Sequence, residues 1–224
     1  MPQEIEPNLI VQRLSEVSQA DVPSLLEEVV KVEKETWPEE MQAPLEKFQS
    51  RAKVFPEGFL LIALPNKGLV GVSTAEIIKY DSQNSPISWE EITDNGWIKS
   101  THNLDGNALY LVSVGASPRT SGMGVGTRLI KEQIELTKKL ELNYMVLGAR
   151  VPGYAAYHKS HPNVLIDDYL KLIREDGQYL DSEIRFYTRC GLEVTKIVPN
   201  YMEDDPESEN FGVVMVWVNP SQKI

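Results

Sequence analysis

Hydrophobic positions recur along this chain in two rhythms: short apolar runs of strand length, and stripes spaced three and four residues apart. The run over residues 9–14 predicts a first strand. Asp21 stands where a helix cap belongs, and Pro23 in the following turn loses no needed N–H. Val22, Leu25, Leu26, Val29 and Val30 then form one apolar stripe until Trp37-Pro38 breaks it. A second helix carries Met41, Leu45, Phe48 and Ala52 on one face and ends at Phe55-Pro56-Glu57-Gly58. Residues 59–64 and 69–80 read as strands joined by the turn Pro65-Asn66-Lys67-Gly68, a hairpin.

Residues 81–107 break the rhythm with a long irregular stretch holding Trp89 and Trp97. Stretches that long inside a compact domain are usually functional or separately packed. Residues 108–116 form an apolar strand, followed by a Pro- and Gly-rich turn and a helix of about four turns with Val125, Leu129, Leu136 and Leu140 on one face. Residues 144–149 read as another buried strand, and 150–180 as a second insertion rich in Tyr and His. Asp181 caps a short helix that runs to about Arg189 and stops at Gly191. Two last strands, 192–198 and 211–218, flank an acidic loop. There is no internal repeat. The order β-α-α-β-β-β-α-β-α-β-β is mixed α/β with hairpins at both ends, unlike the alternation of a doubly wound parallel sheet.

Composition narrows the function more than the fold. With 42% hydrophobic and 25% charged residues in 224, the chain is of globular type, and it reads as one domain over 1–224 with insertions 81–107 and 150–180. Thirty-three acidic against 22 basic residues give a formal charge of −11, which disfavours nucleic acid as a partner. The one cysteine, Cys190, forms neither an internal disulfide nor a multi-cysteine zinc site, and it reads as packing. The polar N-terminus is unlike a secretory signal, and no apolar run approaches the roughly 20 residues of a membrane helix. The expectation is a cytoplasmic protein without a membrane partner.

The segment LYLVSVGASPRTSGMGVGTRLI, residues 109–130, carries the chemistry. A buried strand delivers the chain to a turn holding Gly122, Gly124 and Gly126, where a ligand oxygen can approach the main chain. The helix that follows points its first N–H groups and its positive dipole end at that turn, which makes a phosphate or pyrophosphate site. A P-loop would need a lysine where Gly126-Thr127-Arg128 has none. A dinucleotide fold would need an acidic end to the next strand, which instead ends Gly148-Ala149-Arg150.

The segment resembles the acetyl-CoA-binding motif of the GNAT superfamily of N-acetyltransferases. Arg119-Thr120-Ser121-Gly122-Met123-Gly124 matches that family's Q/R-x-x-G-x-G/A loop. A second register, Pro118 with Gly124-Val125-Gly126-Thr127-Arg128-Leu129, matches better, and it puts Ser121 where the family usually has Arg or Gln. Downstream, Phe186-Tyr187-Thr188-Arg189-Cys190-Gly191-Leu192 is similar to the family's FYxxxGF landmark, with Leu for the last Phe.

The resemblance implies a mostly antiparallel mixed sheet flanked by helices, with acetyl-CoA as cosubstrate and no metal. It implies CoA contacts along Val114 and Ala116 and around Arg119, Ser121, Gly122, Met123, Gly124, Val125, Gly126 and Thr127. Tyr187 takes the position of the acid that protonates the leaving thiolate, although a core tyrosine is the plainer alternative. The central strand carries no carboxylate, so Glu76 on the preceding strand is the candidate base, with His102 as another. The acceptor is a small-molecule or peptide amine, and a homodimer is compatible with the reading. The acidic cluster Glu203, Asp204, Asp205, Glu207 and Glu209 would favour a cationic amine if it faced the cleft; a solvated loop is the plainer reading. His158 and His161 lack a third ligand and read as surface histidines. A catalytically idle CoA or acyl-CoA sensor is the alternative function.

Overall fold

The apolar runs assemble into one sheet in the computed structural model, which describes residues 8–83 and 88–222. Its strands are β1 (Ile10–Arg13), β2 (Leu60–Leu64), β3 (Gly68–Ile78), β4 (Ala108–Ala116), β5 (Tyr144–Ala149), β6 (Glu193–Val198) and β7 (Gly212–Val218), in the order β1-β2-β3-β4-β5-β7-β6. Every pair is antiparallel except β4–β5.

The stripes bury themselves on the two faces. β2 shows the division, because successive side chains of a strand point to opposite sides. Leu61 packs with Leu26 and Val29 of α1 (Val22–Thr36) and Phe48 of α2 (Leu45–Val54). Leu60, Ile62 and Leu64 pack with Val125 and Leu129 of α4 (Val125–Lys139). The largest apolar cluster joins β4, β5 and β7 to α7 (Ser182–Arg189).

Local details depart from the sequence expectations where a backbone constraint intervenes. Asp21 is itself helical, with φ −91° and ψ −18°, and its side chain makes no capping bond. Met41 falls in a separate 3-10 turn, Glu39–Met41, and α2 begins only after Pro44. The stretch 81–107 contains the short helix α3 (Trp89–Thr93), capped by the Ser88 hydroxyl accepting from Glu91 N–H. The stretch 150–180 holds α5 (Tyr154–Ser160) and α6 (Ile166–Tyr169). Asp181 does cap α7, accepting from the N–H groups of Glu183 and Ile184 at 2.9 and 3.2 Å. No helix among the described residues is long and apolar enough to cross a membrane.

The seam between β4 and β5 positions the site. Their ladder runs only from Ala108↔Tyr144 to Tyr110↔Val146. Just beyond, the β3–β4 register slips: Ala75 faces Leu111 but Thr74 faces Ser113, which makes Val112 the extra residue of a bulge. A bulge bends the strand that carries it and ends pairing beyond it. Residues 111–116 of β4 therefore keep β3 on one edge and have no β5 partner on the other. Tyr201, from the loop before β7, reaches the hydroxyl of Tyr110 at the last paired position. Its ring packs against Gly148 of β5, where any Cβ would collide with it.

Candidate active site

The glycine turn leads directly into the start of α4. Gly122 and Gly124 have φ +77° and +74°, left-handed values that L side chains rarely adopt, and a Cβ on either would face open space. Gly124 is the residue from which α4 starts. The Met123 amide bonds back to Thr120 and the Arg128 amide to Gly124. The amides of Gly122, Gly124, Val125, Gly126 and Thr127 have no protein acceptor among the described residues. That row of donors at a helix start is an anion cradle. Gly126 has a different purpose: a Cβ there would come to 3.2 Å from the Phe186 ring, so this glycine lets α7 sit close to α4.

Arg119 is turned to structural use. Its Nε donates to Glu35 Oε2 at 2.9 Å and to Ser117 Oγ at 3.0 Å, and its Nη atoms reach the carbonyls of Lys67 and Leu69. Val114 and Ala116 lie on the unpaired length of β4, half-buried, and Ser121 is exposed at the turn. Tyr187 follows Phe186 on α7, half-buried. Its hydroxyl makes no hydrogen bond to a described residue, and burial, with Glu183, Cys190 and Tyr201 adding, pushes its pKa well up. Cys190 sits beside Thr127, its thiol also pushed up by burial.

Glu76 is fully buried, its pKa pushed up to about 8 mainly by burial, with the Thr101 hydroxyl bond and Arg51 opposing. Its Oε2 accepts from Thr101 at 2.7 Å and its Oε1 is buried without a partner among the described residues. His102 accepts the Ile77 N–H at Nδ1 and packs on Phe55, and burial lowers its pKa. Neither lines the cavity beside the bulge.

That cavity holds about 240 Å³. Val112 and Ser113 of β4 form one wall. Trp89 crosses it, its Nε1 donating to Val112 O at 3.0 Å, so this tryptophan both anchors its loop and lines the space. Helix α1 contributes Glu33, the residue just past its end is Trp37, and α2 contributes Lys47 and Arg51. Glu33 is buried, accepts the Ala43 N–H at 3.0 Å, and has a pKa raised chiefly by burial. Glu33, Trp37 and Arg51 escaped the sequence reading. The available signal was a charge on an apolar stripe: Glu33 follows Val29 by four and Arg51 follows Phe48 by three.

The acidic cluster divides. Asp205 is fully buried and holds Arg150 at 2.9 and 2.6 Å, Glu207 adds a third bond to Arg150, and Glu209 pairs with His158. Only Glu203 and Asp204 reach the cavity. His158 also stacks on Tyr154, and His161 stacks on Tyr157.

The structure thus has a turn of free amides at the start of α4, a β4 edge without a β5 partner and a side-chain-lined cavity at Val112 and Ser113, and similarity to known proteins gives the family. The chain is 35% identical over 184 residues to the uncharacterized N-acetyltransferase YkwB of Bacillus subtilis (strain 168), covering 82% of this chain and 78% of that protein. The loading GNATL domain of CurA from Lyngbya majuscula superposes with TM-score 0.78 at 19% identity, over 94% of this chain and 97% of that one. The GNAT-like decarboxylase GphF in complex with isobutyryl-CoA follows at 0.73 and 17%, over 93% and 98%. No family model matches the chain. This chain belongs to the GNAT superfamily of N-acetyltransferases and is an acyltransferase.

Proposed function

We propose that the protein transfers an acetyl group from acetyl-CoA directly to a primary amine held in the cavity beside Val112 and Ser113. The observation that carries this reading is the set of amides without a protein acceptor among the described residues, Gly122 and Gly124 to Thr127, in the turn that follows the β4 edge left without a β5 partner. The CoA pyrophosphate lies on the amides, and the pantetheine arm extends along Val114 and Ala116 as an added strand. Arg119 supports the turn from behind, its guanidinium engaged by Glu35, Ser117 and the carbonyls of Lys67 and Leu69 rather than by CoA, and the Ser121 and Met123 amides close the turn on Pro118 and Thr120.

An alkyl amine has a pKa of about 10, so a base must remove a proton before attack. Glu33 suits that role better than Glu76, because it lines the cavity and burial raises its proton affinity. The amine nitrogen bonds to the thioester carbon and the C–S bond breaks. Tyr187, held protonated by its surroundings, gives its proton to the departing sulfur and recovers one from the new amide nitrogen. The proton that Glu33 took passes to solvent, so the products are the N-acetyl amine, free CoA and one proton.

Calorimetric titration with acetyl-CoA, CoA, ATP and NAD tests the reading. The CoA compounds alone should bind, thiol release should require an amine, and Gly124→Trp should weaken CoA binding more than about a hundredfold. Equal binding of ATP, or CoA binding untouched by the tryptophan, overturns it. CoA binding without turnover across a broad amine panel would make the chain a sensor.

A further inference from the structure

Arg51 is an unusual residue to find in a protein interior. It is 1% exposed, yet every acceptor it uses is neutral: Gly96 O at 2.7 Å from Nε, and the hydroxyls of Thr74 and Ser113 at 3.3 and 3.2 Å from Nη1. No carboxylate is within ion-pair distance among the described residues; Glu33 and Glu76 act on it only through space. Buried arginines are ordinarily paired, because an unpaired charge is costly to desolvate. Its Nη2 has no protein acceptor among the described residues, and the side chain borders the cavity. A second donor borders the same space: the indole N–H of Trp37 is buried and has no partner among the described residues. Both unmet groups are donors, so what completes them is an acceptor brought in from outside.

We propose that Arg51 and Trp37 form a subsite for a substrate carboxylate, and that the acceptor is a small amino carboxylic acid. The inference rests on the acetyl-transfer reading for the identity of the second substrate, though not for the subsite itself. A planar carboxylate accepts from a guanidinium edge and leaves lone pairs for an indole N–H. The surrounding charges select its company. Glu33, Glu40, Glu90, Glu203 and Asp204 all border the cavity, against Lys47 and Arg51. A phosphate dianion or a bare dicarboxylate would meet that acidic excess, whereas a carboxylate carried beside an ammonium is compensated. Arg51 holds Ser113 on β4 itself, so a carboxylate on this arginine keeps the neighbouring amine close to the strand along which the thioester lies.

The test is calorimetry on the full chain, with and without saturating CoA, using matched pairs: alanine against ethylamine, lysine against cadaverine, phenylalanine against phenethylamine. At least one amino acid should bind ten or more times tighter than its decarboxylated partner. Trp37→Phe keeps the ring under Arg150 and removes only the donor; it should cut that preference several-fold and raise KM more than it lowers kcat. Arg51→Lys should abolish the preference, and Trp37→Phe keeps the test decisive if the lysine variant fails to fold. Malonyl-CoA compared with acetyl-CoA forms the last arm: a Trp37-dependent preference there keeps the subsite and moves the carboxylate to the acyl group, which overturns the amino acid assignment. Amines binding as well as their amino acids, with malonyl-CoA no better than acetyl-CoA, overturn the subsite altogether. Failure of CoA to bind would sink the acetyl-transfer reading alone, since the amino acid titrations without CoA still decide the subsite.

Discussion

The two ends of the cleft are built from different materials. The phosphate turn is one contiguous segment, and what it offers a ligand is backbone: five amides and two left-handed glycines. The cavity beside Val112 and Ser113 gathers side chains from α1, α2, α3, β4 and the loops after α1 and before β7, and what it offers is charge and shape. A backbone site is specified by where chain direction and glycines fall, so it is insensitive to most side-chain changes. A side-chain site can be rewritten one residue at a time while the sheet stays intact, which would suit the proposed role of selecting an acceptor.

Substitutions should expose that asymmetry, the cavity first. Glu33→Gln preserves the acceptor for the Ala43 amide while removing the base, so kcat should fall about a hundredfold with CoA affinity unchanged. The wild-type rate should climb with pH as this raised carboxyl ionises, and the variant should lose that limb. Steady-state pH profiles beside CoA calorimetry check both; unchanged kcat would return the base role to another group. Tyr187→Phe should produce a similar loss in kcat.

A smaller effect is expected in stability. Glu76 moves from 4.5 unfolded to about 8 folded, so the folded chain holds this proton more tightly. Its contribution is fully present below about 4.5 and is lost as pH rises through about 8. At roughly 1.4 kcal/mol per unit, that is a few kcal/mol. Glu76→Gln should flatten this fall in urea unfolding between pH 5 and 8; identical slopes would show that Glu76 does not set it. The smallest effect belongs to the turn. Ser121→Ala should change CoA affinity by less than about threefold, because the cradle is made of amides. A larger loss would mean that the serine hydroxyl binds the ligand.

The same contrast explains what could be read in advance. β4, β5 and α7 begin and end where apolar runs and the Asp181 cap place them, and the glycine turn announces itself by composition. Sequence order brings nothing together from far apart, however, so the cavity was invisible. Glu33 and Arg51 are polar residues of amphipathic helices, and their place on the buried stripe is the only local sign of their position. The acidic loop misleads in the opposite direction. Its density suggests a surface for cations, yet Asp205, Glu207 and Glu209 are taken up by Arg150 and His158. Glu76 illustrates a third limit: a carboxylate on a strand is easy to find, and which face of the sheet buries it is not.

The short seam between β4 and β5 makes the sheet two antiparallel ladders, β1-β2-β3-β4 and β5-β7-β6, whose backbones meet at three residue pairs, so that the apolar cluster, α4 and the Tyr110–Tyr201 bond carry the rest of their union. On the proposed reading a donor lying along β4 would fill the strand edge that β5 leaves open, and its binding would add cohesion between the two ladders.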